Sequence, residues 1–250
     1  MEHVISKLGQ PGRIVETEYD FEYYVYNYNY RNLSFIAVKD SQVVGFYTDS
    51  LSFYYLGITP DSDVNEVNQR LNSDYKLSTI INIEDDHVIA KLLMDQEGTG
   101  KVSGIYVLSK QVKEDGFRES VMRSIELLTY DLTNSIRARN NVPLLSWSSS
   151  AAKASRKHSL DMAEKHYFSH ISPDRKRPGD RLYEEGLSYQ SIGENIIAGY
   201  GTAILSCHAW FNSPEHRNNL LNPDYISLGV GFVYQEGSEY GTYITQDFYR

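Results

Sequence analysis

Apolar and polar positions along the chain follow two different periods, and the change between them falls near residue 116. From Phe21 to Tyr28 aromatic and β-branched residues are dense. Alternation places Phe21, Tyr23 and Val25 on one face of a strand and Tyr24, Tyr26 and Tyr28 on the other. Polar turns then separate two more predicted strands, over 33–38 and 43–48. A helix over 61–71, introduced by Thr59 and Pro60, precedes strands near 77–83, 88–94 and 102–108, with turns at 84–86 and 98–101. With a short helix over 2–8, stopped by Gly9 and Pro11, the order of a helix and three strands is read twice, a repeat of pattern rather than of residues. Beyond 116 the spacing turns helical: Phe117, Val121, Ile125, Leu128, Leu132 and Ile136 form the apolar stripe of a long helix that ends near Asn140 and Asn141, before Pro143. Ser148–Ser150 offer caps for a helix over 151–166, and another helix is expected over 202–212. Ser213 followed by Pro214 then opens a short one. Strands over 195–198, 226–234 and 240–248 complete an α+β reading.

The polar stretch SKQVKEDG at 109–116 reads as a linker, which divides the chain into domains over 1–112 and 117–250. Charge supports the division. Residues 1–116 carry 10 basic and 18 acidic groups, against 14 and 15 in the remainder. A net charge of -9 argues against a nucleic-acid partner, and 41% hydrophobic residues are enough to fill a core. The single cysteine, Cys207, excludes an intramolecular disulfide. Beside His208 in mid-helix it reads as a small buried apolar group. No apolar run is long enough for a spanning helix. The opening MEHVISKLGQ has no apolar stretch of an export signal, so any such signal is expected to lie outside this chain.

Chemistry concentrates in three islands: HSLDMAEKHYFSH at 158–170, GENI at 193–196 and WFNSPEHRNNLL at 210–221. Each sets a His or a Glu beside the start or stop of an element, where side chains can be aimed into a shared cleft, and His170, Glu194 and His216 are expected to meet there. His158, with Asp161 three residues on, reads as a structural pair that holds the following loop. In the first half His3 and His87 stand alone, and the tyrosine-rich strand reads as a packed sheet with wet hydroxyls rather than a stacking platform.

These islands, together with GDRLYEEG, SIGENIIAGY, LGVGF and TYITQDF, occur in one order from about Leu127 to Arg250. The series resembles the bacterial branch of the CAP superfamily, named for cysteine-rich secretory proteins, antigen 5 and pathogenesis-related proteins. The preceding half, through KLGQPGRI and YVYNYN, is similar to the CAP-associated N-terminal domain of some Gram-positive extracellular proteins. The resemblance implies an α-β-α sandwich around a small antiparallel sheet, and an extracellular or cell-surface protein. It also implies a central cleft with a tetrad of two His and two Glu. His170 is similar to the first His, Glu194 to the first Glu and His216 to the second His. The usual place of the second Glu, three residues after the Trp, is Ser213 here, and Glu215 lies nearby as a substitute.

Three functions follow as expectations. In the first, the cleft binds a small-molecule, lipid or peptide ligand, or holds a divalent metal through His170, Glu194 and His216. Zinc suits that donor set because two imidazoles and a carboxylate leave a coordination position open. In the second, the protein is a hydrolase with His170 or His216 as base and Glu194 as orienter. No GxSxG is present, so it would use metal-bound water. In the third, the second half is a rigid display platform and the acidic first half recognises another envelope component.

Overall fold

The computed structural model describes residues 2–250. It falls into two compact units that meet in sequence between Gly116 and Phe117.

Among the described residues the first unit is one seven-stranded antiparallel sheet with two short α-helices and a 3-10 turn at Tyr30–Asn32. After α1 (Glu2–Leu8) come β1 (Arg13–Glu16), β2 (Glu22–Tyr26), β3 (Ser34–Lys39) and β4 (Gln42–Thr48), then α2 (Val64–Leu71), β5 (Ile80–Glu84), β6 (Val88–Asp95) and β7 (Lys101–Ser109). The strand order β1-β2-β3-β4-β7-β6-β5 brings the expected repeats together as mirrored meanders joined through β4 and β7. The first repeat gains β1, too short a strand to show an alternation of its own. α2 starts three residues later than expected because the Asp63 carboxylate caps the amides of Asn65 and Glu66, while Glu66 returns a bond to the Asp63 amide. Phe21, Tyr23 and Val25 are buried as the alternation predicts, and rings of Tyr19, Phe21, Tyr23, Phe35 and Tyr47 follow one another across the sheet. The linker expectation needs correction. Residues 113–116 are polar, yet Lys113 exchanges bonds with Asp20, and the amides of Asp115 and Gly116 reach the Glu18 carbonyl, so this stretch folds onto the first unit.

The second unit contains α3 (Glu119–Arg139), β8 (Ser146–Trp147), α4 (Ser149–Glu164), α5 (Pro178–Glu184), β9 (Ile192–Ala198), α6 (Ala203–Phe211), α7 (Pro214–Leu221), β10 (Ser227–Tyr234) and β11 (Thr242–Tyr249). Its sheet runs β8-β10-β11-β9. α4 covers one face, where Ser159 bonds Thr245, and α3 the other, where Gln246 reaches Thr133. The result is an α-β-α sandwich. Val121, Ile125, Leu128 and Leu132 of the α3 stripe are at most 2% exposed. α3 is also tied by charge: the buried Glu126 accepts from Arg123, Arg156 and the Phe232 amide, and the buried Arg137 donates to the carbonyls of Pro143, Leu220, Asn222 and Tyr225.

Two glycines of LGVGF explain how closely α4 sits. A Cβ on Gly229 would come within 2.1 Å of the Ala152 nitrogen, and one on Gly231 within 2.1 Å of the Arg156 nitrogen. Without those methyl groups the helix lies against the strand, and Ser159 donates to the Gly231 carbonyl at 2.9 Å. At the sheet's far side β9 is an edge strand. Its outward carbonyls are covered by side chains: Tyr225 Oη reaches Ile192 O at 3.0 Å, Asn219 Nδ2 reaches Glu194 O at 3.1 Å and Trp210 Nε1 reaches Ile196 O at 3.1 Å.

Candidate functional site

Glu194 stands in the middle of β9, not at an element end as the islands suggested, and its side chain points toward the α4 side of the sheet. Gly193 before it has no Cβ for a reason: one would meet Tyr225 Oη at 2.4 Å and Asn219 Oδ1 at 2.7 Å, the groups that cover the edge. The Glu194 side chain is 2% exposed. A carboxylate so deeply buried needs hydrogen bonds or a counter-charge, and Glu194 has both. Its Oε1 accepts from His170 Nδ1 at 2.7 Å, and its Oε2 accepts from Arg181 Nη2.

Arg181 comes from α5, a helix absent from the expectations because Pro173, Pro178 and Gly179 read as loop. Pro178 in fact occupies the first helical turn, and Asp180 returns its carboxylate to the Arg177 amide. Arg181 also donates to the carbonyls of His170 and Lys176 at 3.1 Å. One guanidinium thus positions both the carboxylate and the backbone of the histidine that meets it.

His170 is the accessible member, with its side chain 49% exposed. Because a carboxylate can only accept, Nδ1 carries the proton toward Glu194, and in the neutral ring Nε2 is left as an acceptor. His216, in the first turn of α7, faces Ser213 through Nδ1 at 2.9 Å. Ser213 therefore spends its hydroxyl on the imidazole and leaves the helix start without a side-chain cap. Asn195 Nδ2 reaches the His216 carbonyl at 3.3 Å, so adjacent residues of β9 hold the two histidine segments. Burial, and then the nearness of His170, hold His216 below the ordinary imidazole range, while the charge of Glu215 opposes this. Glu215 itself is exposed and reaches the centre only through that charge.

Two further groups complete the centre. His158 is buried in α4 with Nε2 3.9 Å from Glu194 Oε1, and burial, reinforced by Arg181, depresses its pKa to about 4 despite Glu194. Its expected structural role is present as a chain: Nδ1 lies 3.4 Å from Tyr167 Oη, which donates to Asp161 Oδ2 at 2.6 Å. Asp247 of β11 is the direct cross-strand partner of Glu194 and is wholly buried. A cavity of about 210 Å³ adjoins the centre, with His158, Asp161, Ser172, Lys176 and Arg181 in its walls.

Of the three residues expected to hold zinc, Glu194 has both carboxylate oxygens engaged, by His170 and Arg181. Among the described residues no three His, Cys, Asp or Glu side chains are grouped to hold an ion. His170 and His216 have Nδ1 engaged, with Glu194 and Ser213, and keep Nε2. Cys207 is buried in α6, as its mid-helix position beside His208 suggested.

Residues 130–248 match the family model described as the cysteine-rich secretory protein family, CAP, and residues 1–117 match the one described as CAP-associated N-terminal. The chain is 28% identical to YlbC of Bacillus subtilis, named a membrane protein, over 92% of this chain and 77% of that one. It is 37% identical to YkwD of the same organism over 52% of this chain and 48% of that one. An extracellular protein containing an SCP domain from Bacillus anthracis superposes with a TM-score of 0.84 at 27% identity, covering 100% of this chain and 92% of its own. A cysteine-rich secretory protein from Staphylococcus aureus, at 16% identity and a TM-score of 0.76, shares the fold over 99% of this chain and 89% of its own.

Proposed function

Because the chain joins a CAP-associated N-terminal domain to a domain of the cysteine-rich secretory protein family, we propose that it works outside the cell or at its surface, and that its His170–Glu194 cleft binds a ligand without turning it over. One observation carries this reading: a buried carboxylate, clamped by Arg181, holds one nitrogen of an imidazole that is itself half exposed. Such a pair fixes the tautomer and direction of His170 and leaves Nε2 for a ligand donor, or for a ligand acid once the ring is protonated. The likeness to an extracellular protein of Bacillus anthracis supports the location.

Hydrolysis has less support because Glu194, its expected orienter, divides its oxygens between His170 and Arg181, and His216, the other expected base, bonds Ser213 and not Glu194. The test is nitrogen NMR of the histidine side chains while peptide, glycan and lipid fragments are added. A binder should shift the His170 Nε2 resonance, and the shift should vanish in His170→Ala. If fragments bind with the His170 signal unmoved, or binding survives the substitution, the cleft is not the site.

A further inference from the structure

Asp247 lies where an acid is least expected, inside a strand buried on both faces. It is 0% exposed and sits directly opposite Glu194 in the β9–β11 register, so the two carboxyl groups project from the same face of the sheet under α4. Ser155 Oγ of α4 donates to Asp247 Oδ2 at 2.8 Å. The other oxygen, Oδ1, is buried and receives no donor. The side chain paired with it across the strands is Glu194, which interacts with Asp247 and already accepts from His170 and Arg181. Two ionised carboxylates in dry contact present acceptor to acceptor; a single proton between them turns that repulsion into a hydrogen bond.

We propose that Asp247 is an undissociated acid at neutral pH, that it donates its proton to Glu194 as a hydrogen bond, and that it thereby acts as the positioning residue that holds the Glu194 carboxylate toward His170. The groups around the pair agree. Arg181 of α5 supplies one positive charge, enough for one carboxylate and not for two, and His158 of α4, which could supply another, is kept neutral by burial. His170 from the loop after α4 binds Glu194 alone, and Ser155 offers Asp247 a hydroxyl without charge. Burial first, and then the charge on Glu194, push Asp247 well above the ordinary carboxylate range, against the Ser155 bond. The proposal concerns the resting protein and stands or falls apart from any ligand of the cleft.

Infrared spectroscopy of the unmodified chain at neutral pH tests it. The carbonyl stretch of an undissociated acid is expected to move when aspartate side-chain carboxyls alone carry carbon-13, a labelling that sets aside the buried Glu18 and Glu126. Asp247→Asn should abolish that label-sensitive band. The same variant gives a second readout: the fold keeps a proton that the unfolded chain releases above about pH 4, so the parent's melting temperature should fall relative to the variant as pH rises from about 4 to neutrality. A spectrum with no label-sensitive acid band overturns the proposal, as do parallel melting profiles. The wholly buried Asp131 carries the same label, so the band is assigned to Asp247 by its loss in Asp247→Asn, or in Asp247→Ser should the first variant not fold.

Discussion

Replacing Arg181 with Met should strand the Glu194 carboxylate. Methionine keeps most of the apolar stem, so packing beside α4 changes little, while the charge partner of a side chain only 2% exposed disappears. Breaking a buried ion pair by removing one member costs about 3–5 kcal/mol, because the remaining charge stays in the dry interior. The carbonyls of His170 and Lys176, which Arg181 also serves, lie in an exposed loop and can turn to water, so they add little. At roughly 3 °C per kcal/mol for a domain of this size, the loss corresponds to about 10–15 °C in melting temperature. Both tryptophans, Trp147 and Trp210, belong to the second unit, so their fluorescence follows its unfolding without a signal from the first. Glu194→Gln in the Arg181→Met background should recover part of the loss, since the amide carries no stranded charge, and the double-mutant cycle should return a coupling well above 1 kcal/mol. If Arg181→Met costs under about 1 kcal/mol, or the coupling is near zero, Glu194 is hydrated and the clamp does not hold the site.

Two further outcomes follow from burial. His158 titrates at about 4 in the fold against an ordinary 6.5, so the neutral ring contributes stability above pH 6.5 that is lost as pH falls toward 4, about 3 kcal/mol in all. His158→Gln should flatten that acid limb in melting curves, and an unchanged slope would assign acid unfolding to other groups. Leu128→Ala and Leu132→Ala, each removing a side chain 2% exposed in α3, should each cost about 2–5 kcal/mol in denaturant titrations; a loss below 1 kcal/mol would mean that the stripe is not core.

The α3 stripe and the strand alternation of the first half were legible because each element carries its own period over many residues. His170, Glu194 and His216 were legible as chemistry, through motifs, yet their partners were not. Arg181 lies in a stretch whose prolines and glycine look like breakers, and only a helix beginning at Pro178 turns it inward. Asp247 sits in a strand that reads as core, and its neighbour depends on a register with β9 that neither strand encodes alone. Donor type suggested zinc for the three motif residues, whereas ion binding depends on which nitrogen and which oxygen remain free. Arg181, outside those motifs, takes one of the Glu194 oxygens.

The covered edge of β9 limits how a partner can approach this protein. An edge strand usually offers its carbonyls to the amides of another chain, the opening step of strand addition and of aggregation. Here the receptors at Ile192, Glu194 and Ile196 are already occupied by Tyr225, Asn219 and Trp210. A visiting peptide therefore gains nothing by lying down as a fifth strand beside Glu194. The proposed binding at His170 therefore calls on a ligand's side groups rather than on backbone pairing, and a chain prone to form sheet meets three covered carbonyls here.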